Sequence, residues 1–319
     1  MTDVKIGYFL SCEEFGPKEL LRQAALAEQH GFSALWISDH FHPWNSAQGN
    51  APLVWSMLGA ISQVTSLPVT TAVTCPTMRI HPAVIAQAAA TSSVLLDGRF
   101  VLGVGSGEAL NEHITGDRWP PAPVRIEMME EAVSVIRLLQ QGGMKDHHGK
   151  HYTVENAELF TLPERPTPIY VSGFGPASAR LAGRIGDGYI STMPEKSLVD
   201  AFKSAGGDGK PCQAGFKVCW GQDEAAAVDT AHHRWANEQL PGQLAQDLPT
   251  PQHFEDASTL VTKEMVGQAV VCGPDVERHV ANLRTYVEAG YDEVYVNQIG
   301  PEQGGFFRFY EEKVLPAFS

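Results

Sequence analysis

Short apolar runs alternate along the chain with longer segments in which apolar residues recur at helical spacing. Apolar runs bounded by glycine and proline are typical of buried parallel strands. The predicted strands cover 4–9, 33–38, 68–73, 100–105, 169–172, 188–191, 215–220 and 293–298. The predicted helices cover 17–30, 51–64, 82–96, 125–141, 177–183, 224–240, 275–289 and 306–316. The pattern therefore predicts eight successive strand–helix units.

Eight such units in one chain favour a single α/β domain over residues 1–319, a (β/α)8 TIM barrel, over an open doubly wound sheet. No GxxxxGK[ST] loop is present to argue for a nucleotide-binding sheet. Residues 147–161 predict a short hairpin excursion, and the glycine- and proline-rich stretch 206–251 predicts an irregular insertion. We expect that insertion on the catalytic face, where barrels tolerate insertion best.

The composition is that of an ordinary globular protein, with 43% apolar and 19% charged residues among 319. The formal net charge of −14 makes nucleic acid or an anionic membrane an unfavourable partner. An anionic cofactor remains compatible with this charge, because backbone N–H groups at a helix N-terminus can hold phosphate. Composition therefore favours a small-molecule substrate.

The cysteines are odd in number and widely spaced, and they lack the CxxC pattern of a metal site; they are Cys12, Cys75, Cys212, Cys219 and Cys272. We therefore expect no metal. The first residues carry no pattern of a secretory signal, and no apolar run reaches the length of a membrane span. The sequence favours a reduced, cytoplasmic protein.

Candidate chemistry collects where the predicted strands end. The carboxyl ends of all barrel strands open on one mouth, and active-site side chains project from there. The second strand ends in Ser38, Asp39 and His40, and the others end in polar or glycine-rich segments at 11–13, 74–77, 105–108, 172–176 and 191–192. An isolated Asp-His pair is as readily a turn cap. The convergence of several polar strand ends therefore carries the prediction of an enzyme.

The segment 103–112 reads Gly-Val-Gly-Ser-Gly-Glu-Ala-Leu-Asn-Glu and allows two interpretations. Its glycines could serve only a tight turn. They could instead let a ligand approach the backbone while Glu108 faces it and exchanges a proton. The segment is not a dinucleotide fingerprint, because its glycines do not fit GxGxxG and no acidic ribose partner follows.

The segment 172–183 predicts a strand, a glycine-rich turn and a helix with Pro176 at its start. The free N–H groups at that helix end, with Ser178 and Arg180, would suit a phosphate group. A plain strand-to-helix turn is the alternative.

Together these segments resemble the luciferase-like flavin and deazaflavin superfamily, and specifically the coenzyme F420-dependent glucose-6-phosphate dehydrogenase family. The similarity runs along nearly the whole chain and is densest in 5–8, 38–44, 82–87, 103–112 and 182–188. The resemblance implies a barrel with an inserted region, F420 in the mouth, and a homodimer. It also implies a non-proline cis peptide at Ala72–Val73.

Carried over by position, the resemblance assigns His40 as the base that takes the substrate hydroxyl proton. Glu108 would serve the deazaflavin N1, Trp44 would line the reaction centre, and Glu13 would face the substrate. The implied cofactor contacts are Asp39, Val73, Thr74, Cys75, Ser106 and Asn111, with Phe174, Gly175, Ala177 and Ser178 at the phosphate.

Three departures from the family concern the substrate. After Thr192, Glu195 stands where the sugar-phosphate enzymes have a lysine, although Lys196 follows directly. Gln268 replaces an expected arginine, and 244–249 contains no basic residue. A phosphate dianion needs cationic partners, so we expect a neutral alcohol, sugar or carbonyl compound rather than glucose 6-phosphate. The alternatives are an FMN-dependent monooxygenase or reductase, and a non-catalytic cofactor carrier on the same scaffold.

Overall fold

The computed structural model describes residues 4–318. Its strands are β1 (Lys5–Leu10), β2 (Leu35–Ile37), β3 (Val69–Thr71), β4 (Phe100–Val104), β5 (Lys145–His148), β6 (Thr153–Ala157), β7 (Ile169–Ser172), β8 (Gly188–Ser191), β9 (Cys212–Cys219), β10 (Val271–Cys272) and β11 (Glu293–Gln298). Eight of them pair in parallel in the order β1-β2-β3-β4-β7-β8-β9-β11, and β11 returns to β1. The barrel is therefore closed, and the predicted (β/α)8 TIM-barrel class is confirmed.

The helices are α1 (Pro17–Gln29), α2 (Val54–Ile61), α3 (Pro82–Leu95), α4 (Ala109–Glu112), α5 (Ala122–Leu139), α6 (Pro176–Ile185), α7 (Lys196–Phe202), α8 (Glu224–Trp235), α9 (Leu244–Asp247), α10 (Pro251–Ser258), α11 (Lys263–Ala269), α12 (Val276–Ala289) and α13 (Gln303–Phe309). Proline at the first turn begins several of them, since a missing N–H costs nothing there. In the described part of the chain, the helices are too short or too polar to cross a bilayer.

The barrel interior and its outer layer are separate apolar clusters. Phe9, Trp36, Ile190 and Tyr295 form the interior cluster, and the rings of Trp36 and Tyr295 stack with centroids 4.5 Å apart. The Trp36 indole donates to Gln213 Oε1 at 2.8 Å, which satisfies a polar side chain inside the barrel. Alternate strand residues thus fill the interior, and the others pack against the surrounding helices.

The structure corrects two boundaries around the seventh barrel strand. That strand begins at Cys212 rather than 215. The sequence misplaces its start because the interior-facing Gln213 and Gly215 are not apolar and interrupt the apolar pattern. Gly206–Gly209 precedes β9 and so lies at the amino end of the barrel, opposite the mouth, which makes that part of the predicted insertion wrong. The segment on the mouth side follows α8 and is largely helical, from a short 3-10 turn at Ala236–Gln239 through α11.

The other excursion follows the prediction. Strands β5 and β6 form an antiparallel hairpin outside the barrel, with His147 opposite Val154. Strand β10 adds to β9 beyond the end of β8, with Cys272 opposite Cys219. Both additions leave the eight-stranded barrel intact.

Candidate active site

Two strand ends bring a carboxylate against an imidazole. Glu13 lies three residues beyond β1, and its Oε1 is 3.3 Å from Nε2 of His40, which follows β2. Its Oε2 accepts hydrogen bonds from the Ser11 hydroxyl at 2.8 Å and the Ser38 hydroxyl at 2.7 Å. Burial alone would raise the pKa of Glu13, but the facing His40 and the two hydroxyls outweigh it and lower that pKa. Glu13 is therefore an ionised, oriented partner for His40.

Asn111 links His40 to Glu108. Its Oδ1 accepts from the backbone N–H groups of Phe41 at 2.9 Å and His42 at 3.1 Å, which fixes the orientation of the amide. Its Nδ2 then lies 3.1 Å from His40 Nδ1 and 3.4 Å from Glu108 Oε2. His40 and Glu108 come from different barrel units and flank one amide, so the sequence-predicted pair shares one site.

Asp39 is held by a buried ion-pair network that sequence reasoning missed. Its Oδ2 accepts from the Thr74 hydroxyl at 2.9 Å, and its Oδ1 lies 2.9 Å from Arg79 Nη2. Arg79 also pairs with Glu112, whose Oε2 accepts the Arg79 backbone N–H at 2.9 Å. The guanidinium therefore lies between two buried carboxylates. Arg79 fixes Asp39 at the carboxyl end of β2.

Glu112 is the group in this network with the largest resolved pKa change. Burial raises its pKa to about 7, even though the Arg79 backbone N–H and guanidinium favour the charged form. A carboxyl whose folded pKa lies above its ordinary value stabilises the fold fully at low pH. That contribution is lost as the pH rises from about 4.5 through 7.

We expect Glu112→Gln to remove this pH-dependent loss of stability. The measurement is the free energy of unfolding in urea at pH 5 and pH 8. Between pH 5 and pH 8, the wild-type protein should lose a part of its free energy of unfolding that Glu112→Gln does not lose. Glu130→Gln, on the exposed face of α5, is the control and should keep the wild-type pH dependence. An unchanged pH dependence in Glu112→Gln contradicts the prediction.

The glycines of 103–107 serve the packing of β3 against β4. A Cβ on Gly103 would lie 1.9 Å from Thr71 O, and a Cβ on Gly105 would lie 2.4 Å from Val73 Cγ2. Gly107 has φ +75° and faces Cys75 Sγ. Packing alone therefore requires glycine at these positions, because protein atoms fill the space that each Cβ would take, and the approach of a ligand to this backbone stays a prediction. They place Val73, which follows the cis peptide at Ala72, beside the mouth.

The remaining predicted cofactor residues lie at the ends of β3, β4 and β7. Cys75 is buried, with Sγ 3.0 Å from the Thr77 hydroxyl, and Ser106 is half-buried beyond β4. Ser178 closes the first turn of α6 through Gly175, and Ala177 and Phe174 are exposed on either side. These residues thus border the mouth from three neighbouring strands.

The helical insertion covers one side of the mouth. The Trp44 ring lies 5.0 Å from the His40 ring and 5.1 Å from that of Phe254 in α10. At the end of α8, the Trp235 indole donates to Glu14 Oε2 at 2.8 Å. These contacts place an aromatic wall beside His40.

The predicted substrate residues lie apart from this cluster. Thr192 and Glu195 are exposed after β8, and Gln268 is exposed on α11. Lys196, the alternative cation, pairs with Asp200 on the same helix at 2.6 Å. The structure therefore joins His40, Glu13, Glu108 and Asn111 but leaves the three substrate positions without a contact to them in residues 4–318.

Arg79 and Glu112 carried weak signals in the sequence. Glu112 follows Glu108 by one helical turn within the segment 103–112. Arg79 lies four residues past Cys75 in the same strand-end loop. Both residues lie several positions beyond the ends of β3 and β4, so the pattern of polar strand ends does not predict them.

The chain matches the family described as luciferase-like monooxygenase over residues 4–293. An F420-dependent glucose-6-phosphate dehydrogenase from Microbacterium testaceum (strain StLB037) is 36% identical, with 98% of this chain and 97% of that protein covered. The corresponding enzyme from Mycobacterium avium (strain 104) is 33% identical, with 99% and 98% covered. An F420-dependent secondary alcohol dehydrogenase, solved with an F420-acetone adduct, superposes with a TM-score of 0.91 at 30% identity, with 99% of both chains covered. The chain belongs to the luciferase-like family and, within it, to the F420-dependent oxidoreductases.

Proposed function

We propose that this protein binds coenzyme F420 and moves a hydride between C5 of the deazaflavin and an alcohol or carbonyl carbon of a small substrate. The observation that carries the proposal is the placement of His40 against Glu13, with Asn111 linking it to Glu108, at the mouth of a luciferase-like barrel. An imidazole beside a carboxylate suits transfer of a hydroxyl proton.

The residues present fit the cofactor at its phosphate end. Helix α6 begins beside β7, and the N–H groups of its first turn have no intrahelical acceptor. Because Pro176 has no N–H, these donors belong to Ala177 and Ser178. The position of a Cβ on Gly175 is open, with no atom within 4 Å. An anionic group could therefore approach the helix end closely, where the dipole favours it. Phe174, Gly175, Ala177 and Ser178 would hold it there.

The chemistry of the chain centres on His40. His40 Nδ1 lies 3.1 Å from the His42 carbonyl oxygen and 3.1 Å from Asn111 Nδ2, and Nε2 faces Glu13 Oε1 at 3.3 Å. In the oxidising direction the imidazole would accept the proton of the substrate hydroxyl, and the resulting imidazolium would be stabilised by ionised Glu13. Glu108 would hold or release a proton at the deazaflavin N1, and Trp44 would shield the reacting carbon from water. Asp39, fixed by Arg79, would contact the ring together with Val73, Thr74, Cys75, Ser106 and Asn111.

We propose a substrate without a phosphate group. Glu195 is exposed where a lysine would be needed, Lys196 is paired with Asp200, and Gln268 carries no charge. Ionised Glu13 adds a further negative charge in the mouth. A dianion would meet repulsion there, and none of these positions supplies an unpaired cation.

Cofactor binding separates this proposal from the FMN alternative. We expect purified protein to quench F420 fluorescence on titration and to bind FMN at least about tenfold more weakly. With excess 2-propanol, the F420-loaded protein should bleach the oxidised deazaflavin absorbance. Tight FMN binding without an F420 response would replace the proposal by a flavin enzyme. F420 binding without turnover on any alcohol would support a carrier instead.

We also propose a homodimer in a reducing compartment. Helices α2 and α3 leave large apolar side chains exposed around their ends, namely Leu53, Val64, Val84, Val94 and Leu95. An apolar patch of this kind suits a self-complementary interface. The five cysteines are unpaired and buried, which fits the cytoplasm.

A further inference from the structure

A lysine lies inside the barrel beside the proposed reaction centre. In β9, Gln213 and Gly215 face the interior, where Trp36 contacts both, so Lys217 points to the same side two residues later. Its Nζ is 4.1 Å from the Trp235 ring centroid and 5.7 Å from that of Phe9. The Lys217 side chain is only 13% exposed.

Within residues 4–318, Glu238 is the carboxylate that pairs with the lysine. Nζ of Lys217 pairs with Glu238, in the short helical turn that follows Trp235. The Glu238 side chain is 32% exposed, more than that of the lysine. The pair therefore offers donors and an acceptor at one place without net charge.

An unsatisfied acceptor lies on the neighbouring strand. Asn297 of β11 is in register with Lys217, so both side chains face the interior. Asn297 is fully buried, and its Nδ2 donates to the Phe9 carbonyl oxygen at 2.9 Å. Within the described residues 4–318, its Oδ1 accepts no hydrogen bond. A buried amide oxygen of this kind needs a donor from outside the chain.

The same segment connects this pair to the catalytic cluster. Trp235, on which the Lys217 ammonium lies, donates to Glu14, the residue after Glu13. Asn45, the residue after Trp44, donates to Asn237 Oδ1 at 3.3 Å and to the Arg234 carbonyl oxygen at 2.9 Å. Lys217 and Glu238 thus border the mouth on the side of Glu13 and Trp44.

We propose that Lys217, Glu238 and Asn297 bind the non-reacting hydroxyls of a neutral polyhydroxylated substrate, an unphosphorylated sugar or polyol. Hydroxyls donate and accept at once, so they match an ammonium, a carboxylate and an amide oxygen together. A phosphate or carboxylate substrate would meet the more exposed Glu238, and the pair has no net charge to offset that repulsion. The Phe9 and Trp235 rings offer apolar faces to the C–H groups of a sugar. This inference rests on the proposed function.

The test compares substrates with one hydroxyl and with many. F420-loaded wild type, Lys217→Met, Lys217→Arg and Glu238→Gln are assayed on 2-propanol, glucose, sorbitol and glucose 6-phosphate. We expect Lys217→Met to lower kcat/KM for glucose or sorbitol by about 10- to 100-fold, mainly through KM, since it removes charged hydrogen bonds. The effect on 2-propanol should stay within about threefold. Lys217→Arg should recover part of the loss.

A binding measurement and a control complete the test. Calorimetric titration of the polyol into F420-loaded protein should show the same loss of affinity in Lys217→Met as the change in KM. Lys263→Met removes the exposed pair with Asp229, on α11 and α8, and should match wild type in both measurements.

Each outcome decides the inference. Equal losses on 2-propanol and on polyols would overturn it, as would glucose 6-phosphate as the preferred substrate. Turnover of 2-propanol by wild type, with polyol kinetics unchanged in Lys217→Met, would overturn this inference alone. Failure of wild type to reduce F420 with any alcohol would overturn the proposed function along with it.

Discussion

We expect His40→Ala to lower kcat by about 10²- to 10⁴-fold while F420 affinity changes less than about threefold. The physical reason is that a positioned general base contributes a factor of this size to the rate, and His40 beside Glu13 is the proposed base. The side chain faces Glu13 and Asn111 rather than the predicted phosphate end at α6, so cofactor affinity should be conserved. Single-turnover reduction of F420 and fluorescence titration measure the two quantities.

His42→Ala is the matched control for His40→Ala. The His42 imidazole contacts the Leu110 carbonyl oxygen at 2.9 Å. The contacts of His42 with His40 and Asn111 are made by its backbone carbonyl and N–H groups, which the substitution keeps. We expect a change in kcat below about tenfold. Added imidazole should restore part of the rate in His40→Ala. Full turnover in His40→Ala would show that another group takes the proton.

We expect Arg79→Met to destabilise the fold by about 3–5 kcal/mol at pH 8. Removing one member of a buried ion-pair network leaves charges without a partner, and the loss is of this size. The Arg79 side chain is 7% exposed and lies between Asp39 and Glu112, both buried. Urea unfolding measures the change in the free energy of unfolding. F420 affinity should fall as well, because Asp39 loses the contact that fixes it.

Two comparisons make the Arg79 prediction specific. Arg22→Met removes an exposed pair with Glu19 and should cost less than about 1 kcal/mol. Lowering the pH to 5 should reduce the cost of Arg79→Met, because Glu112, whose pKa is already raised, takes up a proton when its partner is missing. If Arg79→Met lowered the free energy of unfolding as little as Arg22→Met does, the buried network would contribute little to the stability of the fold.

The strand ends of the site could be predicted because of a property of parallel barrels. All strands run the same way, so polar residues after β1, β2, β3 and β4 meet at one mouth regardless of their separation in sequence. Glu13, His40 and Asn111 are distant in the chain, and the structure places His40 within reach of both of the others. The cis peptide at Ala72–Val73, which the resemblance implied, is present.

Other parts of the site depend on contacts that no local pattern encodes. Arg79 belongs to a loop, and its partners were set by how that loop folds back over Glu112. From the sequence, Lys217 is an ordinary strand lysine until it is known which residues of β9 face the barrel interior. Gln213 and Gly215 face the interior, and because neither is apolar they obscure the alternation that would have shown this. Glu238, the partner of Lys217, lies in the turn after α8, and no local pattern places that turn beside β9.

The sequence by itself determined the closed α/β barrel, the order of its units and the strand-end positions of His40 and Glu108. It could do so because apolar periodicity and turn residues define strands and helices locally. In a closed parallel barrel, the carboxyl ends of all the strands then lie at the same mouth. Only the tertiary structure decided that Arg79 lies between two carboxylates, that the glycines of 103–107 pack closely against residues 71–75, and that Lys217 faces the interior. These outcomes depend on non-local packing, in which a side chain's partner comes from a distant segment and its exposure follows from the whole fold.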